Sequence, residues 1–139
     1  MMSAYTKPLP RITPQTQPFW DATRVGKLTV QCCGQCGKLR FPPATICDNC
    51  LSAEATWVPV SGRGTVWSFC EFHRLYFKGF EPDLPYNVAL VRLDEGPRMY
   101  SNIVGIPTAE IKVDMRVKAV FEPVTDAVTL VKFTPEKVP

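Results

Sequence analysis

A chain of 139 residues, 45% hydrophobic and 21% charged, can form one compact unit or two small interdependent ones, and either half alone would be marginal. Fourteen prolines and eight glycines favour many short elements joined by turns over long helices. The net charge of +3, from 16 basic and 13 acidic residues, falls short of the excess a polyanion binder carries, and no run approaches the roughly 18 apolar residues of a membrane span.

No apolar run follows a basic start at the N-terminus, so no secretory signal is expected and the chain is assigned to the cytoplasm. Thiols stay reduced there, and six cysteines then argue for metal rather than disulfides. Residues 1–15 read as a flexible or draped arm, because Pro8, Pro10 and Pro14 forbid a continuous helix. Thr16 is placed to cap a short helix with Pro18 in its first turn. Phe19, Trp20 and Val25 supply its apolar side, and Gly26 ends it. Lys27 to Gln31 reads as a strand leading into the first cysteine pair.

Cys33-Gly34-Gln35-Cys36 and Cys47-Asp48-Asn49-Cys50 are two CxxC turns separated by ten residues. Each turn aims two sulfurs at one ion, and Gly37 permits the tight geometry. The intervening segment 38–46 is long enough to return the chain as a hairpin. Cys33, Cys36, Cys47 and Cys50 are therefore the expected metal ligands, with zinc as the structural ion; iron in a rubredoxin-like site has the same geometry. Four thiolates leave no open position for substrate, so the site is read as a staple rather than a catalytic centre. Cys32 is read as a strand thiol beside the knuckle, and Cys70 as a core residue.

Beyond Ser52 the pattern turns to β. Val58–Val60 and Thr65–Phe72 are expected to form one long strand, with a bend or bulge at Gly62 and Gly64 between them. Asn87–Leu93, Met99–Val104, Arg116–Phe121 and Val128–Phe133 follow, with a turn at 94–97 and one helical turn at Thr108–Glu110. The fold is thus mainly β: a short N-terminal helix, a zinc ribbon, then a five-stranded barrel of the OB type, with 1–54 and 55–139 as the two parts.

His73 is the sole histidine, with Glu71 on the same strand face. No nucleophile stands at a recognisable spacing, so His73 reads as a rim or interface residue, and no catalytic residue is assigned. The segment 74–86 is rich in large apolar residues for a loop. It either plugs the barrel or docks onto a partner. Arg74 and Lys78 beside Tyr76, Phe77 and Phe80 would also suit a nucleotide-like ligand, by charge and stacking.

The run Leu28 to Pro43, continuing to Cys47-x-x-Cys50, resembles the rubredoxin-like zinc ribbon of a bacterial and archaeal family, long a domain of unknown function, in which the ribbon precedes an OB-fold. Val60-Ser61-Gly62-Arg63-Gly64-Thr65-Val66, Pro85 to Val91, Leu93 to Arg98 and Phe133-Thr134-Pro135 resemble that family in the same order, so the likeness runs from about Phe19 to Pro135. The resemblance implies a small partner of thiolase-fold enzymes that make or break C–C bonds in acyl-CoA esters, including retro-aldol cleavage of steroid side chains. It implies a hetero-oligomer, in some cases with a hot-dog-fold hydratase. In such assemblies the thiolase-like subunit carries the catalysis. The small chain scaffolds it and helps position the CoA ester, which makes His73, Arg74, Tyr76, Phe77, Lys78 and Phe80 the expected partner- or CoA-facing residues. A single-stranded nucleic-acid binder is the alternative, since ribbon plus OB also serves that role. The near balance of charge, with Glu81, Asp83, Asp94 and Glu95 around the loops, weighs against it.

Overall fold

The computed structural model describes residues 5–136, so the first four residues of the expected arm and the last three of the chain lie outside the described part. Helix α1 spans Gln17–Arg24, with Pro18 in its first turn as expected. Thr16 precedes it but does not cap it: its hydroxyl accepts the Thr13 N–H (3.0 Å) and lies 3.3 Å from the Thr13 hydroxyl, so the two threonines close a turn of their own. Gly26 ends the helix at φ +77°, a conformation that glycine adopts without strain. Phe19 is buried and Trp20 half-buried, whereas Val25, expected on the apolar side, projects into solvent. Thr23 takes the buried place one turn after Phe19, and its hydroxyl donates to the Trp20 carbonyl, which satisfies the group inside the core.

The ribbon is a small antiparallel sheet of β1 (Thr29–Cys33), β2 (Leu39–Arg40) and β3 (Ala55–Pro59), in the order β2-β1-β3. β3 pairs with β1 along five residues, from Thr29↔Pro59 to Cys33↔Ala55. The Val58 segment, expected to open the barrel's first strand, thus lies on the ribbon's sheet, because its partner lies more than twenty residues upstream and alternation does not name partners.

The barrel strands are β4 (Arg63–Phe72), β5 (Tyr86–Leu93), β6 (Arg98–Ser101), β7 (Arg116–Pro123) and β8 (Thr129–Pro135). They form one antiparallel sheet in the order β6-β5-β4-β7-β8, curled into the half-barrel of an OB-fold. Its two edges approach where Ile103 pairs in parallel with Phe133, the Phe133 N–H donating to the Asn102 carbonyl (3.0 Å) and the Val104 N–H to the Phe133 carbonyl (2.8 Å). Gly62 forms the expected bend, at φ +79°, and the bulge in β4 falls further along, between Val66 and Ser68. Gly64 instead sits where a Cβ would collide with the Arg92 backbone, so it is needed for close strand approach. A helical turn at Thr108–Glu110 precedes β7 as expected.

Inward residues of the barrel strands, among them Val66, Val91, Leu93, Val117 and Phe133, form a core that is continuous with Phe19, Leu28 and Val30 of the helix and ribbon. Cys70 is not part of it. Past the bulge, Cys70 pairs with Val88 on the face opposite buried Ala89, and it is exposed.

Candidate metal centre and partner surface

The two CxxC turns fold alike. In the first, the Cys33 N–H donates to the Lys38 carbonyl (2.9 Å) and the Gly37 N–H to the Cys33 carbonyl (3.0 Å). In the second, the Cys47 N–H donates to the Ser52 carbonyl and the Leu51 N–H to the Cys47 carbonyl (both 2.9 Å). Gly37 and Leu51 occupy matching positions at φ +76° and +66°. Backbone N–H groups also point at the sulfurs: Gln35 and Cys36 donate to Cys33 Sγ, and Asn49 to Cys47 Sγ, all at 3.4 Å.

The four sulfurs of Cys33, Cys36, Cys47 and Cys50 lie within 4.8 Å of one another. Cys33 and Cys50 are 3.5 Å apart at sulfur, and Cys36 and Cys47 3.7 Å. A tetrahedron of thiolates at Zn–S distances of about 2.3 Å has edges of about 3.8 Å, so the donor set fits zinc. The electrostatics agree. The N–H groups of Cys36 and Gln35 hold the Cys33 thiol down to about 6. The Asn49 side chain and the Lys38 N–H lower Cys36. At Cys50 the Ser52 N–H acts to lower the thiol, but burial and the three neighbouring sulfurs outweigh it and push it up to about 12. Four sulfurs this close ionise together only around a cation. Cys32 points away, toward the Gly37 carbonyl (3.6 Å), as a strand thiol should. Beside the knuckles, Lys38 pairs with Asp48 at 2.7 Å.

The six residues expected to face a partner are divided by the structure. Tyr76 and Phe77 project outward, 63% and 57% exposed. Phe80, on a 3₁₀ turn spanning Lys78–Asp83, is half-buried, its ring 5.1 Å from that of Tyr86. Phe72, Tyr76, Phe77, Phe80, Tyr86 and Tyr100 border an open apolar groove of about 540 Å³. Arg74 lies over the Tyr76 ring (5.3 Å). His73 stands exposed at the end of β4, its Nε2 3.0 Å from Glu71. Lys78 does not join this groove; it borders a separate hollow with Thr6 and Gly79.

Sequence reasoning missed the clamp on this loop. Lys7 forms an ion pair with Asp83, and its ammonium sits 5.3 Å from the Phe80 ring centroid. That contact raises the Lys7 pKa, chiefly through its hydrogen bond to Asp83. A Cβ at Gly79 would collide with the Thr6 carbonyl, so glycine there is what lets the arm lie against the loop. Lys-Pro in a proline-rich arm carries no signal for such a contact.

Comparison with known proteins accounts for both parts. The family model described as "ChsH2, rubredoxin-like zinc ribbon domain" matches residues 20–55, and that described as "ChsH2, C-terminal OB-fold domain" matches residues 57–122. A solved structure titled "Ltp2-ChsH2(DUF35) aldolase" contains a chain 34% identical to this one, superposing with a TM-score of 0.82 over 91% of this chain and 98% of that one. Among curated relatives, a "Probable enoyl-CoA hydratase alpha subunit" of Thermomonospora curvata is 36% identical over 80% of this chain, and the match covers 34% of the relative. "Benzoylsuccinyl-CoA thiolase subunit BbsA" of Thauera aromatica is 32% identical over 54% of this chain and 50% of the relative. The chain therefore spans about a third of the hydratase subunit and half of the thiolase subunit. No helix among the described residues is long and apolar enough to cross a membrane.

Proposed function

The chain belongs to the ChsH2 (DUF35) family of paired zinc ribbon and OB-fold domains, and from that premise we propose that it is a non-catalytic accessory subunit of a thiolase-fold acyl-CoA enzyme. The observation that carries this reading is the likeness to nearly the whole of the ChsH2 chain in an aldolase titled as a pair with Ltp2. The relative named as a thiolase subunit and the aldolase point the same way: the reaction makes or breaks a C–C bond in a CoA ester, as in acyl-CoA condensation or retro-aldol cleavage in lipid or steroid metabolism, while the hydratase relative shares only the CoA-ester class of substrate.

The ribbon holds one zinc through Cys33, Cys36, Cys47 and Cys50, and zinc there is structural, because four thiolates leave it no position for substrate. The exposed side chains of Tyr76 and Phe77 and the groove beside them face the thiolase-fold subunit, with Phe80 as their base. Arg74 and His73 flank the CoA ester's approach from the open end of β4, and Lys78 lies to the other side of the loop. The chain works in the cytoplasm, where CoA esters and reduced thiols coexist.

Affinity purification from the native host, followed by mass spectrometry, tests the reading. A thiolase-fold subunit should co-elute in a defined ratio, with or without a hot-dog-fold hydratase, and the isolated chain should turn over no acyl-CoA. Recovery of single-stranded nucleic acid in place of such a subunit would overturn it in favour of an oligonucleotide-binding OB protein.

A further inference from the structure

The register of β5 and β6 sets Arg92 directly opposite Arg98, and Leu90 opposite Tyr100. All four lie on the outer face, since the alternate residues Val91, Leu93 and Met99 are buried in the barrel. Like charges directly opposite on a sheet repel and destabilise the pairing. Neither guanidinium forms an ion pair among the described residues. The carboxylates of the adjoining turn are already engaged: Asp94 takes both nitrogens of Arg116 (2.7 and 2.9 Å), and Glu95 accepts the Ser61 N–H (2.8 Å). The two arginines instead share one indole. Arg92 lies 5.6 Å and Arg98 5.2 Å from the ring of Trp67, which occupies the bulge of β4 and is 47% exposed.

Tyr100, 75% exposed, borders the aromatic groove on one side. On the other it borders a cleft of about 910 Å³ between the β5–β6 hairpin and the ribbon, lined by Arg98 together with Lys38, which Asp48 pairs, and the buried Arg40. The charged pair and the aromatic loop are therefore one surface joined at Tyr100. Two guanidiniums held side by side with no acid of their own are arranged to receive a carboxylate, which would turn their repulsion into two charge-assisted contacts. Arginine among tryptophan and tyrosine is also the composition of interface anchors. The exposed aromatics extend from Trp67 past Tyr100 to Tyr76 and Phe77, which suits a protein surface rather than one small ligand. Asp48 and Glu95 on the rim of the cleft disfavour a polyphosphate chain.

We infer that the outer face of β4, β5 and β6 is the docking surface for the thiolase-fold subunit, which inserts an Asp or Glu side chain between Arg92 and Arg98 and covers Trp67 and Tyr100 with apolar groups. This rests on the accessory-subunit reading and adds to it the face and the chemistry of the contact.

The test uses the co-purified complex and the full chain, with Arg98→Gln and the double substitution Arg92→Gln/Arg98→Gln. Removing one or both like charges should leave the melting temperature of the isolated chain unchanged or raise it. The double substitution should weaken association by roughly a hundredfold, and raising the salt should weaken the wild-type complex in the same direction. Association within about twofold of wild type, with the chain folded, overturns the inference while leaving the accessory-subunit reading intact. So does a loss confined to binding of CoA or of a single-stranded oligonucleotide by the isolated chain, with association spared. A wild-type chain that recruits no thiolase-fold subunit overturns the accessory-subunit reading itself, before any variant is made, and this inference with it.

Discussion

Leu51 holds a backbone conformation that its counterpart in the first knuckle holds without strain. Gly37 and Leu51 make the same turn at φ +76° and +66°, but a leucine there pays about 1–2 kcal/mol for its Cβ. Its side chain is exposed, so it returns little by packing. Leu51→Gly is therefore expected to leave the zinc-loaded chain as stable as wild type or more stable by up to about 1 kcal/mol, where most Leu→Gly changes destabilise. Gly37→Leu should do the reverse. Guanidinium unfolding of the three proteins checks this, and a clear loss on Leu51→Gly refutes it. The knuckles were legible in the sequence because a CxxC turn is a local device whose spacing alone sets the geometry. The strain at Leu51 was not, because nothing in Cys-Leu-Ser marks a positive φ. Cys70 was misread for a related reason. Aromatic neighbours suggest burial, and only the bulge before it, a feature of strand pairing, decides which way the thiol faces.

The loop 74–86 divides its aromatics between two duties. Phe80 is held by the Tyr86 ring and the Lys7 ammonium, whereas Tyr76 and Phe77 meet solvent. Phe80→Ser should lower the melting temperature of the isolated chain, by the equivalent of about 1–3 kcal/mol, through lost packing and a loosened arm. Phe77→Ser should leave that temperature nearly unchanged and weaken association with the proposed thiolase-fold partner instead. Thermal unfolding of the isolated chain and titration of the complex separate the two, and equal effects of both substitutions on stability would show the loop to be a plug. The barrel strands themselves were largely legible, since alternation and turn residues mark where a strand runs. Their partners were harder to see. β3 carries a strand pattern like any other, and its place beside β1 depends on a contact across more than twenty residues that no local rule encodes. Where the arm docks, with Lys7 on Asp83 and Phe80, was invisible for the same reason.

At the scale of the whole molecule, ribbon and barrel share one core. Phe19, Leu28 and Val30 pack in the same cluster as Val66, Val91 and Phe133. Loss of the metal should thus be felt beyond the ribbon. Calorimetry of the zinc-loaded chain should give a single unfolding transition. Chelation, or Cys47→Ser, should lower or abolish it as a unit, while Cys70→Ser should leave metal content unchanged. A barrel transition that survives chelation at its original temperature would contradict this coupling. The order of ribbon then OB-fold was legible because each part has its own motifs. The shared core was not, because amphipathic patterns state that a face is buried and not against what.

The five-residue pairing of β3 with β1 also bears on how members of such a family can be cut and recombined. A ribbon lifted out at residue 54 would leave behind the strand that covers Thr29–Cys33, and the edge so bared would be open to any other chain. The last rung of that ladder is the Val60 N–H on the Leu28 carbonyl (2.9 Å), and Gly62 follows at φ +79°. The natural seam for exchanging ribbons between relatives therefore falls at Ser61 and Gly62. A chimera joined there carries each sheet over whole, while one joined a few residues earlier gives its ribbon a β3 from another parent.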